Sequence, residues 1–300
     1  MKKIIGVSGG KGGTGKTFVA TNLALMLSEQ HRVMLVDADV ENPNVSILLN
    51  KKLDENGALV TSFYPRINAA ACTRCGACTT ACRYHALFQL KEKVPVLIEA
   101  LCRSCELCMR VCEAGAITAD PRAVGELFSF KNHDRLLVKL GRLFPGGTKT
   151  ARLIEAMNAE AMQQAARADP PLDFMVIDCA PGAHCDVEKA LKDVDIIFCV
   201  TEPTPLGAND LKRTLELARF LHKPARIIIN RADMVPFHGP IEQISEQWRA
   251  GIIARIPLSR EVMETYARGE SIYDLHVRAG DAGNHPVIQE FIKIMEAAGA

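Results

Sequence analysis

Two constellations in this chain have the residue types and spacing to do chemistry. The first is the run Gly9-Gly10-Lys11-Gly12-Gly13-Thr14-Gly15-Lys16-Thr17. From Gly10 to Thr17 it fits G-x-x-x-x-G-K-[ST] at every position. Glycines let backbone N–H groups turn toward an anion at the positive end of a following helix. In such a loop Gly10, Gly12, Gly13, Thr14 and Gly15 form the cradle, Lys16 reaches the outer phosphates and the Thr17 hydroxyl ligates magnesium. The second constellation is cysteine. Cys72, Cys75, Cys78 and Cys82 follow C-x2-C-x2-C-x3-C, and Cys102, Cys105, Cys108 and Cys112 repeat it 30 residues later. Ala86-Leu87 and Ala116-Ile117 keep the same offset, so the segment is an internal duplication.

The elements that must position these groups are legible in the apolar pattern. Lys3-Ile4-Ile5-Gly6-Val7-Ser8 predicts a short buried strand before the glycine loop. Residues 18–29 predict a helix after it, with Val19, Leu23, Leu25, Met26 and Leu27 on an apolar face. A second buried strand, His31 to Asp37, ends in Asp37-Ala38-Asp39, and Asn42-Pro43-Asn44 breaks regular structure. Phe174-Met175-Val176-Ile177 leads to Asp178-Cys179-Ala180-Pro181-Gly182. A carboxylate at the carboxyl end of such a strand can hold magnesium, usually through water. The plainer alternative for Asp37, Asp39 and Asp178 is a helix cap. Further buried strands are predicted at 196–200, 226–229 and 252–257, a strand at 136–140, and helices at 151–168 and 206–222. Asn230, ending one strand, is placed to read a nucleotide base with its amide. Alternating buried strands and amphipathic helices predict an α/β fold: a mainly parallel, doubly wound sheet with helices on both faces.

Lys11 narrows the loop. Lys-Gly-Gly-Thr-Gly-Lys-Thr resembles the deviant loop of the MinD/ParA/Mrp/nitrogenase iron-protein class of P-loop ATPases. The resemblance implies that Lys11 reaches across a dimer interface to the partner's nucleotide, and that ATP binding is a dimer switch, as a homodimer or with a related ATPase. It implies that Asp39 orients the attacking water, with Asp37 as the nearby alternative or a group in an outer magnesium shell. It also implies that Gly182, in a switch segment opened by Asp178, senses the terminal phosphate through its N–H. Asn230-Arg231-Ala232-Asp233 is similar to a guanine-reading pattern, but Arg231 replaces its lysine. The loop favours ATP.

The eight cysteines resemble a bacterial ferredoxin with two [4Fe–4S] clusters. Three closely spaced thiolates wrap three corners of a cubane, and the fourth of each run ligates the other cluster. That resemblance assigns Cys72, Cys75, Cys78 and Cys112 to one cluster and Cys82, Cys102, Cys105 and Cys108 to the other. Two structural zinc sites are the alternative. Arg83 and Glu113 stand where the usual proline follows the fourth cysteine. The expected domains are residues 1–66 with 120–300 for the ATPase, and 67–119 for an inserted ferredoxin-like module. The arrangement resembles MinD-superfamily ATPases carrying such an insertion. It implies ATP hydrolysis coupled to electron transfer toward a redox or iron–sulfur client. An iron–sulfur assembly or delivery factor of Mrp type, and a positioning ATPase with structural clusters, are the other classes. No C-x-x-C pair lies outside the duplicated segment, as a transferable intersubunit cluster of Mrp type often requires.

Composition narrows the classes. A net charge of +1 with no polybasic run does not call for nucleic acid or an anionic membrane. The apolar start is too short for a secretory signal, and no run approaches membrane-spanning length, so the expected location is cytoplasmic. In that compartment cysteines read as metal or redox ligands rather than disulfides. Cys179 and Cys199 read as small core residues, Cys185 and His184 as surface residues, and Trp248 as packing. Val287, Ile288, Phe291, Ile292 and Met295 predict a terminal amphipathic helix. With Lys293 its only lysine or arginine, it is expected to dock on the core, with no stable membrane anchoring.

Overall fold

Uninterrupted apolar runs such as Val33-Met34-Leu35-Val36 and Ile196 to Val200 are buried throughout. Strands of that kind need cover on both faces, which a parallel sheet flanked by helices supplies. The computed structural model describes residues 1–10, 12–54, 56–273, 280 and 285–300. Its elements run β1 (Lys3–Ser8), α1 (Lys16–Leu27), β2 (Val33–Asp37), α2 (Val45–Leu48), β3 (Ala58–Ser62), β4 (Pro65–Ile67), α3 (Ala77–Ala81), β5 (Leu87–Phe88) and β6 (Val96–Leu97). After a 3-10 turn at Glu99–Leu101 come α4 (Leu107–Arg110), β7 (Ile117–Ala119), β8 (Arg122–His133), β9 (Leu136–Leu143), α5 (Thr150–Arg167), β10 (Phe174–Asp178) and α6 (Cys185–Leu191). The chain continues through β11 (Ile196–Thr201), α7 (Pro205–Phe220), β12 (Ala225–Asn230), α8 (Gly239–Trp248), β13 (Ile252–Ile256), α9 (Arg260–Ala267) and α10 (Pro286–Ala298).

The sheet order is β13-β12-β11-β1-β10-β2-β9-β8-β3. Every pairing from β13 through β9 is parallel. The chain leaves β1 toward β2 and leaves β10 toward β11, on the other side of β1. Loops diverging in this way open a crevice at the carboxyl ends of the strands, where ligands of open α/β sheets bind. This is the doubly wound α/β fold expected from the sequence. β8 and β9 form a hairpin turning at Asp134-Arg135, and the long β8 was not legible in the weak apolar pattern of residues 122–133.

The chain divides into two compact units: Met1–Gly57, Leu127–Arg142 and Ile154–Ala300, and Ala58–Glu126 with Leu143–Leu153. The second unit is wider than the expected insertion of 67–119. That segment has a small core of its own, Cys78, Leu87 and Ile117 with a few half-buried neighbours. It is completed by β3, β4, the start of β8 and residues 143–153. Inside this unit β4 pairs with β7 and β5 with β6, all antiparallel.

In the first unit α1 is buried nearly all round, not on one face only. Phe18 meets Phe291 of α10 edge to face, centroids 5.5 Å apart. Val287, Ile288, Phe291, Ile294 and Ala298 form the buried stripe of α10, which packs on α1 and β13. Ile292, expected on that stripe, is 38% exposed, and Ile294 takes its place. Helical spacing decides this: 287, 291, 294 and 298 share one face, whereas 292 is rotated off it. Truncating Phe291→Ala should lower stability by about 3–5 kcal/mol, measured as the denaturant midpoint followed by circular dichroism.

Candidate functional site

The phosphate loop joins β1 to α1 with Gly15 at the helix N-cap, in the left-handed region at φ 95°. A side chain there would place a Cβ 2.2 Å from Asn230 Nδ2, and one at Gly10 would come within 2.1 Å of the Asp210 Cβ. Glycine is thus required both by conformation and by close approach. Asn230 Nδ2 donates to the Thr14 carbonyl at 2.8 Å, which ties the end of β12 to the loop. Lys11 lies outside the described residues.

A cavity of about 450 Å³ opens at the loop. It is lined by Gly12, Gly13, Gly15, Lys16 and Thr17 of the loop, by Asp39, Asn42, Asn44 and Pro181, and by Asn230, Arg231, Pro257, Leu258, Met263 and Tyr266. The polar lining suits phosphates and the apolar lining a base.

Two carboxylates sit beneath the loop. Asp178 and Asp37 are register partners on the paired parallel strands β10 and β2, and both are fully buried. Asp37 accepts N–H groups from Asp39, Asn44 and Val45 at 3.2, 2.9 and 3.0 Å. It therefore shapes the loop carrying Asp39 and caps α2, which is the plainer of the two roles open for it in the sequence. Burial pushes its carboxyl up to about 7, against those three donors. Both Asp178 oxygens are buried without a hydrogen-bond partner. Burial first, then the Asp37 charge, pushes Asp178 well above the carboxylate range, while the Thr17 hydroxyl and Lys16 act the other way. Lys16 is buried, and that burial lowers its ammonium against the pull of Asp178 and Asp39. A buried carboxylate left unsatisfied beside a threonine hydroxyl fits a divalent cation such as magnesium. Asp39 is half-buried, accepts the Asn42 N–H at 3.3 Å and is pushed up by burial.

In the other unit the duplication is visible in the backbone. Arg74 and Ser104, Gly76 and Glu106, and His85 and Gly115 all have positive φ, each pair 30 residues apart. β4 and β6 occupy equivalent places in the two halves, as do β5 and β7. Each small sheet therefore takes one strand from each half. The thiols follow the same rule. One cavity is lined by Cys72, Cys75, Cys78 and Cys112, and another by Cys82, Cys102, Cys105 and Cys108. Among the described residues no three His, Cys, Asp or Glu side chains converge as a mononuclear site needs. Four thiols spread around a wall are instead a donor set that fits the corners of a cubane. The Ala77 N–H and then the Thr73 hydroxyl hold the exposed Cys75 thiol below its usual range. Burial pushes Cys108 up to about 11.

The family profile described as the CobQ/CobB/MinD/ParA nucleotide binding domain matches residues 5–272. The chain belongs to this family. An uncharacterized protein of Methanocaldococcus jannaschii is 28% identical over 89% of this chain and 90% of its own length. An iron-sulfur cluster carrier protein of Rickettsia felis is 22% identical over 92% of this chain and 67% of its own. In fold, the chain is similar to the septum site-determining protein MinD of Pyrococcus horikoshii, solved with Mg-ADP. That comparison has a TM-score of 0.60 at 18% identity and covers 99% and 96% of the two chains.

Within this MinD/ParA-type fold two residues expected at the nucleotide make contacts of their own. The Asn230 amide braces the phosphate loop, and its Oδ1 accepts the Arg231 N–H at 3.0 Å. A side chain so committed lines the cavity rather than standing free to read a base. The Gly182 N–H donates to the Gly9 carbonyl at 3.2 Å, so here it is not offered to a phosphate. Gly10, Thr14, Asp178 and Gly182 are not among the cavity's lining residues. Sequence reasoning missed Met263 and Tyr266, because α9 carries no motif. It also missed Lys149, described below. Among the described residues no helix is long and apolar enough to cross a membrane.

The raised Asp37 carboxyl makes a pH prediction. Between its ordinary 3.8 and about 7 the folded chain holds a proton that the unfolded chain releases. The group thus favours the folded state at the acid end of that window, and the benefit is lost as pH rises toward 7. Without nucleotide or magnesium, stability should fall with a slope of up to about 1.4 kcal/mol per pH unit from this group. Urea denaturation at fixed ionic strength checks it, and Asp37→Asn should flatten the slope.

Proposed function

We propose that this chain is a magnesium-dependent ATPase, acting as a dimer, whose nucleotide state gates electron transfer through two [4Fe–4S] clusters to a partner protein. The observation that carries the reading is a pairing on one chain: a phosphate loop backed by an unsatisfied buried carboxylate, and two cavities each lined by a complete four-cysteine set. Lys16 and the loop amides hold the phosphates. Thr17 and Asp178 hold magnesium, Asp39 orients the water, and Lys11 from the partner chain offsets developing charge. Gly182 leaves the Gly9 carbonyl for the terminal phosphate when the switch closes. Cys72, Cys75, Cys78 and Cys112 hold one cluster, and Cys82, Cys102, Cys105 and Cys108 the other. Magnesium supplies charge neutralisation at the phosphates, and the clusters supply one-electron storage. The ferredoxin-like module interrupts the ATPase domain between the Asp39 and Asp178 segments, so closure of those segments has a covalent route to it.

A second reading, iron–sulfur delivery, is favoured by the relatives named as cluster carriers. A protein that gives its cluster away is better served by an incomplete or intersubunit ligand set, so complete sets from one chain favour the electron carrier.

Anaerobic purification followed by iron and sulfide analysis should find about eight irons per chain, as two cubanes require. EPR of the dithionite-reduced protein should change on adding Mg-ATP. Zinc without acid-labile sulfide would sink the cluster assignment, and spectra and potentials blind to ATP would sink the gating. Loss of iron and sulfide to an apo-acceptor that gains activity would replace electron transfer with delivery. Separately, Lys16→Ala should abolish nucleotide binding in equilibrium titration, whereas Lys11→Ala should spare binding but slow concentration-dependent hydrolysis. Unchanged turnover in the latter would contradict its role.

A further inference from the structure

The two halves of the cysteine unit are nearly equivalent in backbone and ligand supply, but not in charge. The wall of the first set carries Arg74 and Glu113, both exposed. The wall of the second carries exposed Arg103 and half-buried Glu106, again one charge of each sign. Inside the duplication Arg83 follows Cys82 where Glu113 follows Cys112; a further, buried difference comes from outside it. Lys149, only 5% exposed, donates from its ammonium to the carbonyl of Cys102. Its Nζ stands 4.9 Å from the centre of the Tyr64 ring. Tyr64 is itself buried and has Arg122 on its ring at 5.0 Å. The Lys149 carbonyl accepts the Leu153 N–H at 3.1 Å, which anchors the residue at the start of α5. Ser104, one residue before Cys105, donates to the Phe63 carbonyl at 2.7 Å, fixing the second cysteine loop against the segment that presents Tyr64.

We propose that Lys149 is a positioning residue for electrons: a buried cation that raises the reduction potential of the second cluster above that of the first. The inference rests on the reading that the eight thiols hold two [4Fe–4S] clusters. Reducing such a cluster adds one electron, and so one unit of negative charge, without breaking a bond. A cation held close by in a medium of low dielectric favours the more negative state, much more than an exposed one does. Cluster potential responds to net charge, hydrogen bonding and exposure, and Lys149 changes the first of these at one site only. Burial lowers the Lys149 ammonium from its ordinary range, while the Cys102 and Cys105 thiols pull the other way; the Cys102 carbonyl and the Tyr64 face are the contacts that favour the cation. An unequal pair gives direction. An electron entering at the first cluster runs downhill to the second, and the second holds it until a partner takes it.

The test is an EPR-monitored redox titration of the anaerobic full-length chain, with dithionite as reductant, alongside iron and sulfide analysis. The wild-type chain should show two separated reduction steps. Lys149→Met should keep its iron and lower the upper step by at least tenfold in equilibrium constant, about 59 mV for one electron. The lower step should stay in place. Lys149→Arg, which keeps the charge, should lie near wild type. A fully loaded Lys149→Met protein with both steps unmoved, or with only the lower step moved, would overturn the role of Lys149 alone. Absence of iron and sulfide from the wild-type chain would overturn the cluster reading and this inference with it. If Lys149→Met fails to load, an Arg variant whose upper step falls as steeply as a neutral Lys149→Gln variant's would also refute it.

Discussion

Much of the nucleotide site follows from one constraint: two carboxylates held side by side, out of water, at the ends of adjacent parallel strands. Parallel register places Asp37 opposite Asp178, about one strand spacing, or roughly 4.8 Å, away. Neither can ionise there without help. Asp37 gets that help from the backbone, and in taking three N–H groups it folds the turn that carries Asp39. Asp178 has no such backbone donors: its two oxygens lack a partner at hydrogen-bond distance, and the nearby Thr17 hydroxyl and Lys16 charge are what act to lower it. The local field therefore favours a cation at Asp178, and Lys16 and Thr17 are the neighbours that the phosphate loop brings to it. The same strand ends deliver the loop, the Asp39 turn and the Asp178 turn to one crevice.

The cysteine unit obeys a different constraint. Its apolar core is small, so exchange of parts between two repeated halves does the work of a core. Each two-stranded sheet takes one strand from each half, and each thiol set takes three cysteines from one half and the fourth from the other. Neither half can complete a sheet or a thiol set alone. In small metal domains such reciprocity makes ligation and folding one process. It also makes the halves alike in backbone and thiol supply, so differences between the two sites come from side chains such as Arg83 and Glu113 within the repeat and Lys149 outside it.

Legibility in the sequence followed the range of the interactions. The glycine loop, the strand-ending aspartates and the cysteine spacing are local patterns, and they were readable. The strands flanking the loop were also readable, because apolar runs without alternation allow few alternatives. The bonds that Gly182 and Asn230 make were not legible in the same way. Whether a glycine N–H meets Gly9, or an amide meets Thr14, depends on loops far apart in sequence. Ile292 was misplaced on its helix for a simpler reason: a five-residue apolar set fits more than one stripe, and the contact with α1 selects between them.

The sequence by itself determined the chemistry available: a phosphate loop with its lysine and threonine, carboxylates at strand ends, and eight thiols in two matched runs. Those depend on residue type and short spacing, which the chain carries wherever it goes. Tertiary structure alone decided which groups share an environment. It set Asp178 beside Asp37 through strand order, gathered the fourth cysteine of each run with the opposite three, and brought the Lys149 ammonium to the Cys102 carbonyl. Burial and proximity between distant segments set the charge state and field at each site, and neither is a property of any local stretch of sequence.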